Sequence, residues 1–200
     1  MSLYSFQDNF CFIRVPRTGS TTIFRTIRSA YEIQLGDNYN IQWEDEDEGK
    51  HLIRTRWVHP SASEIIDIIG DSFYSLNSFG YIRNPWEWLI SCWEFGHHHD
   101  QVTLDANTFE EFCKLKIRGP IDWLIDKDGK QLVTEIRRNE DIGDTLELGD
   151  CDLLKINESF NRGNWVRDKV HTYYTSDLKK YVEKKFYREI EIGKYRYDYE

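Results

Sequence analysis

The sequence predicts an α/β protein whose helices pack on a central, mainly parallel sheet. Two strand-to-helix junctions carry that prediction. At the first, Phe10-Cys11-Phe12-Ile13 is an apolar run of the kind buried strands use. A short loop of small residues follows, Pro16-Arg17-Thr18-Gly19-Ser20-Thr21-Thr22. Behind it Ile23, Ile27 and Tyr31 recur at helical spacing. At the second, Phe79-Gly80-Tyr81-Ile82 is again an apolar run. It ends in Arg83-Asn84-Pro85, where Asn84 suits an N-cap and Pro85 the first helical position. Trp86, Leu89, Ile90 and Trp93 then form one apolar helical face.

Composition sets the frame. The chain has 200 residues and neither internal repeat nor linker, so a single domain over 1–200 is expected. Hydrophobic residues make up 40% and charged residues 30%, which describes a globular chain rather than a disordered one. Seven Trp and twelve Tyr suit a core and a pocket built from large rings. The net charge of -9 argues against sequence-independent nucleic-acid binding, against an anionic membrane surface and, weakly, against a heavily sulfated polysaccharide as ligand. Cys11, Cys92, Cys113 and Cys151 form no Cys-x-x-Cys pair and read as reduced, buried thiols. With no signal peptide or membrane-spanning run in view, a cytoplasmic location is expected.

Strand, small-residue loop and helix together form a geometry that grips phosphate. Amides at a helix N-terminus converge on the anion, and the helix dipole favours negative charge there. Gly19 lets the backbone come close, Ser20, Thr21 and Thr22 add hydroxyl donors, and Arg17 adds a charged fork. The loop lacks the second Gly and the Gly-Lys-Ser/Thr ending of a Walker A motif. Arg83 stands at the C-terminal end of a strand and beside a helix start, the place where open α/β sheets bind ligands.

The remaining elements follow in order. The first helix should end near Gly36, before a turn-rich loop and the acidic run Glu44–Glu48, which reads as solvated rather than metal-binding. A short strand is expected within His51–Val58. His59-Pro60 then precedes the capping box Ser61-Ala62-Ser63-Glu64 and a helix that stops at Gly70. His97-His98-His99-Asp100 is expected as an exposed loop, not a metal site, because adjacent residues cannot all face one ion. Thr108-Phe109-Glu110-Glu111 is a second capping box, and Gly119-Pro120 breaks that helix. Asp126-Lys127-Asp128-Gly129 reads as a turn, between short strands that include Leu132-Val133. Leu153–Ile156 is a further strand candidate. Arg162–Thr175 is a basic loop, ahead of a helix from Ser176 with Leu178, Tyr181, Val182 and Phe186 on one face.

The two junctions resemble those of sulfotransferases that use 3′-phosphoadenosine 5′-phosphosulfate (PAPS), and the resemblance runs from Phe10 to about Tyr197. In that family a Pro-Lys-Thr-Gly-Ser/Thr-Thr-Ser/Thr loop binds the 5′-phosphosulfate; here it stands as Pro16–Thr22, with Arg17 in place of Lys. The family holds the 3′-phosphate with an Arg at a strand end and a Ser along the next helix, positions occupied here by Arg83 and Ser91. Many members have another Arg where this chain has Trp88. Small bacterial and viral members share a Trp-Leu…Asp-Gly segment like the one at Trp123–Gly129, with a Glu after a short strand at the position of Glu140.

The resemblance implies a P-loop-like three-layer α/β/α fold. It implies sulfuryl transfer from PAPS to a hydroxyl of a glycan or small molecule. Arg167 and Lys169 take the place of a basic loop that folds over the nucleotide. His59 is the expected general base, since imidazole titrates near neutrality. Arg17 is expected to act electrostatically, because a guanidinium does not give up its proton. Trp86, Trp93 and Trp123 are candidates for an aromatic acceptor pocket. No metal is expected. A P-loop-type kinase and a catalytically inactive nucleotide-binding module are the alternatives.

Overall fold

A computed structural model describes residues 2–35, 41–43, 52–54, 59–99, 106–145 and 169–198. Its elements run β1 (Leu3–Ser5), β2 (Phe10–Ile13), α1 (Ser20–Leu35), β3 (Ile41–Trp43), β4 (Leu52–Arg54), α2 (Ala62–Ile69), β5 (Asn77–Ile82), α3 (Pro85–His99), α4 (Phe109–Lys114), β6 (Glu135–Arg138), α5 (Ile142–Thr145), α6 (Ser176–Lys185) and α7 (Tyr187–Gly193). Short 3-10 turns lie at Gly70–Ser75, Pro120–Trp123 and Asn139–Asp141. The chain packs as two compact units, Met1–Ile82 with Pro120–Asn157 and Arg83–Gly119 with Glu158–Glu200.

The first unit holds the sheet, in the order β3-β4-β1-β2-β5-β6. β2 pairs parallel with β5, β5 with β6, and β3 with β4, whereas β1 is antiparallel to both β2 and β4. β1 therefore runs against the other described strands. The architecture is α/β with an open, mostly parallel sheet, as the two junctions predict. In register, Phe12 lies opposite Phe79 and Ile13 opposite Gly80. The rings of Phe12 and Phe79 sit 5.5 Å apart. Ile23, Phe24, Ile27 and Tyr31 of α1 bury against Leu3, Phe12, Phe79 and Tyr81. That packing stabilises α1, because an isolated helix of this length is marginal in water.

α2 begins as its sequence requires: the Ser61 amide donates to Glu64 Oε2 at 2.7 Å, and the Glu64 amide donates back to Ser61 Oγ at 3.4 Å. The turn at Asp126 is an Asx-type turn, in which Oδ1 accepts from the amides of Asp128 and Lys130. Leu132 and Val133 form no strand; the strand lies two residues on, at Glu135–Arg138. There Arg137 stacks over the Phe79 ring at 4.2 Å and pairs with Glu135.

The second unit is helical in its described residues. Asn84 caps α3, its Oδ1 accepting from the Trp86 amide at 3.1 Å. α3 runs through His99, so the His97–His99 backbone is helical where a loop is expected; Gly96 alone, without a following proline, does not stop the helix. Thr108 and Glu111 close the second capping box, and α4 ends at Lys114, ahead of Gly119-Pro120. Lys185 Nζ donates to the Cys113 and Leu115 carbonyls that end α4. Thr175 caps α6, in which Leu178 and Val182 are buried and Tyr181 is exposed. Cys11, Cys92 and Cys113 are free thiols; Cys151, the Glu44–Glu48 run and Leu153–Ile156 lie outside the described residues. Among the described residues no helix is long and apolar enough to cross a membrane.

Gly80 tests the packing of the sheet. A Cβ there would run into Leu124 Cδ2, which is wholly buried, and would stand 3.3 Å from the Ile13 carbonyl oxygen. Gly80→Ala is expected to lower stability by about 1–3 kcal/mol in urea unfolding, as overpacked cores do. Gly143→Ala, where a Cβ meets nothing within 4 Å, is expected to stay within about 0.5 kcal/mol of the parent.

Candidate functional site

The candidate site begins where β2 ends. The Val15 amide donates to the Ile13 carbonyl at 3.0 Å, and the buried Thr18 hydroxyl donates to the Val15 carbonyl at 3.0 Å. Thr18 therefore braces the loop with its side chain. Arg17 and Gly19 both have left-handed backbones, with φ of 62° and 72°. For Gly19 this conformation is free of steric cost; for Arg17 it costs on the order of 1 kcal/mol. Two left-handed residues in three turn the chain tightly, a pattern from which anion-binding concavities are made. The amides of Thr22 and Ile23 close onto the Gly19 carbonyl at 2.9 and 3.3 Å. The first amides of α1 lie ahead of that closure, where a helix has no acceptors of its own to offer them.

The loop is covered from the end of β6. A Cβ on Gly19 would stand 2.5 Å from Asn139 Oδ1 and 2.9 Å from Ile142 Cδ1. Glycine is thus favoured twice at this position, by its φ and by its neighbours. Sequence reasoning missed Asn139, whose contact with the loop spans most of the first unit. The faint signal was its place directly after a strand, beside Glu140. That carboxylate lies 3.8 Å from Arg138 Nε, at the edge of an ion-pair distance.

His59 lies directly against this loop. Its Nδ1 is 2.8 Å from the carbonyl oxygen of Arg14. A carbonyl can only accept, so Nδ1 carries the proton, and the lone pair of the neutral ring is on Nε2. Burial pushes the imidazole down to about 4, with the Arg14 cation adding to the effect and the carbonyl bond opposing it. At neutral pH His59 is therefore uncharged, and it titrates below the near-neutral range expected of it because burial disfavours the imidazolium. Its own carbonyl accepts from the Trp123 indole N–H at 3.1 Å, so Trp123 anchors the histidine's backbone. Arg14 ties the parts together: its Nη2 donates to Thr21 Oγ1 at 3.0 Å, and its guanidinium lies 5.2 Å from the Phe24 ring centre. Arg14 Nε is buried with no acceptor among the described residues.

Of the predicted residues in the first unit, Arg17, Thr18, Gly19, Ser20, Thr21 and Thr22 form one continuous turn into α1, and His59 joins them. Ser20 is buried and Thr21 exposed. In the second unit Arg83 is buried and paired with Glu87, its Nη2 donating to Oε2 at 2.9 Å and its Nε at 3.3 Å. Ser91 lies buried two turns along α3. Lys169 sits in a helical turn at 169–173, and Arg167 lies outside the described residues. Trp86 is buried edge-on against Tyr197, and the half-buried Trp93 packs on Phe109 and Phe112. Among the described residues no His, Cys, Asp or Glu cluster could hold a metal ion.

Comparison with known proteins returns no relative: no family model matches the chain, no curated protein is significantly similar, and no solved structure matches it.

The loop geometry is open to a direct test. Gly19→Ala must accommodate a left-handed alanine against Asn139 and Ile142. It is expected to cost about 1–3 kcal/mol in chemical denaturation. Gly19→Ala combined with Asn139→Ala is expected to recover part of that loss but not the share due to φ.

Proposed function

We propose that this protein is a sulfotransferase that moves a sulfuryl group from PAPS to a hydroxyl of a glycan or small-molecule acceptor, on a P-loop-like three-layer α/β/α fold. One observation carries the reading: the bond from His59 to the Arg14 carbonyl. Across 45 residues of sequence it joins the group suited to deprotonate a hydroxyl with the loop suited to hold a phosphosulfate.

Each residue then has a role. The amides from Gly19 to Thr21, with the Ser20, Thr21 and Thr22 hydroxyls, hold the 5′-phosphosulfate. Arg17 places a fixed positive charge there. Arg83 and Ser91 take the 3′-phosphate, and Arg167 and Lys169 cover the nucleotide. His59 Nε2 takes the acceptor's proton as the new S–O bond forms and the bond from sulfur to the bridging oxygen breaks. The protein's contribution is positioning and stabilisation of developing charge, as in phosphoryl transfer.

Calorimetric titration with 3′-phosphoadenosine 5′-phosphate (PAP), beside ATP with Mg²⁺, tests the reading. Tight, metal-independent binding of PAP that Arg83→Ala abolishes is the expected result. Preference for ATP with Mg²⁺ would replace the reading by a kinase. Binding of PAP without turnover on any hydroxyl acceptor would leave an inactive nucleotide-binding module.

His59→Gln is expected to lower kcat by about 10²–10⁴-fold with PAP affinity unchanged. The depressed imidazole also fixes the pH profile. A base works only when unprotonated, so kcat/KM should rise with pH through an acid limb near 4 and be level through neutrality. An acid limb at the ordinary histidine value would refute the buried neutral base.

A further inference from the structure

We infer that Glu87 is the positioning residue of the anion subsite at Arg83, holding the guanidinium so that one corner of it is presented to a phosphate. The inference rests on the nucleotide reading above. Glu87 stands at the third position of α3, where Glu64 and Glu111 close capping boxes in α2 and α4. In α3 the side chain at this position also engages a cation. Both bonds from Arg83, through Nε and Nη2, end on the single oxygen Oε2. The Nη1 corner takes no part in the pair. Side-chain exposure is 9% for Arg83 and 6% for Glu87, so the guanidinium is held out of water in one orientation.

Stability alone is a poor account of such a pair. Desolvation of two buried charges offsets most of their attraction, and apolar residues of similar size often do as well. What the pair does supply is direction. A long arginine at the residue before a helix has many rotamers, and one carboxylate oxygen bonded by two of its nitrogens selects among them. Glu87 and Ser91 stand four residues apart within α3, and Arg83 reaches back to Glu87 from two residues before the helix begins. Ser91 is buried one turn beyond Glu87. A phosphate held here would take charged N–H donors from Nη1, with Glu87 acting on it through Arg83.

The test separates hydrogen bonding from charge. PAP and adenosine 5′-phosphate, which lacks the 3′-phosphate, are titrated into the wild type, Glu87→Gln and Glu87→Leu. The glutamine oxygen can accept the same two bonds, so Glu87→Gln is expected to keep or raise the preference for PAP. Leucine cannot accept them, and Glu87→Leu is expected to lose at least tenfold of that preference with adenosine 5′-phosphate affinity unchanged. Equal loss for both nucleotides in Glu87→Leu would mark a merely structural pair and overturn the inference. Retained or raised preference in both variants would reduce Glu87 to a charge effect and also overturn it. Glu87→Asp covers the case in which leucine prevents folding. It keeps the charge but withdraws the carboxylate by one methylene, so several-fold loss of preference supports the inference and full retention refutes it. A wild type that shows no preference for PAP, with Arg83→Ala indifferent, would fail the nucleotide reading itself, and Glu87 with it.

Discussion

The parallel pairing of β2 with β5 is the constraint on which the first unit depends. Phe12 faces Phe79 across it, and α1 packs its apolar stripe onto the surface those rings create. A slip of one residue would turn both rings to the other face, so burial fixes the register. Because β6 also runs parallel to β5, the three strands end at one edge of the sheet. The segments that leave β2 and β6 there, Arg14–Gly19 and Asn139–Asp141, come together over Gly19. The loop is thus a consequence of strand direction. Reversing β6 would send its following residues to the opposite edge and leave Gly19 uncovered.

The same constraint explains what could be read in advance. β2 and β5 lie inside the sheet, and strands buried on both faces declare themselves as continuous apolar runs. The capped starts of α2, α3 and α4 were legible because a cap is a contact between residues two or three apart. β1 and β3, at three residues each, are too short to show a period. β6 reads Glu-Ile-Arg-Arg, a sheet-edge strand whose polar residues hide it. It is fastened by Arg137 lying over Phe79, which no local pattern reveals. Tyr181 misled for the opposite reason: it falls on the apolar stripe of α6 by spacing, yet the stripe's edge is open to water. His59 could be proposed from residue type and position, but its partner could not. Its bond to Arg14 and the Trp123 bond behind it join segments that only the fold brings together. For Trp123, aromatic character suggested a pocket, whereas the structure uses the indole N–H.

A net charge of -9 does not by itself oppose an anion at the loop, because the forces there are short-ranged. Helix-dipole and amide contributions fade within the first turn, and at physiological salt the field of distant carboxylates is screened within about 8 Å. Arg14 and Arg17 lie inside that range of α1, and Arg14 is held there by Thr21 and Phe24. The neutral state of His59 belongs to the same arrangement. Buried beside the Arg14 cation, a protonated imidazole would lose hydration and meet a like charge. A ring held this way is uncharged at neutral pH, and it accepts a proton less readily than an ordinary imidazole.

Arg17, where the sulfotransferases this loop resembles carry lysine, bears on which step of the proposed reaction needs a proton. A lysine can give one up; an arginine cannot. The leaving oxygen in sulfuryl transfer from PAPS belongs to a phosphate, whose second ionisation lies near 6. Such a group departs as the dianion near neutral pH and needs charge stabilisation more than protonation. A guanidinium and the amides of a helix start supply that. The acceptor is the opposite case, since a hydroxyl must lose its proton as it attacks, and in the proposed reaction His59 takes it. In that reading proton transfer falls to His59, and Arg17 supplies charge alone.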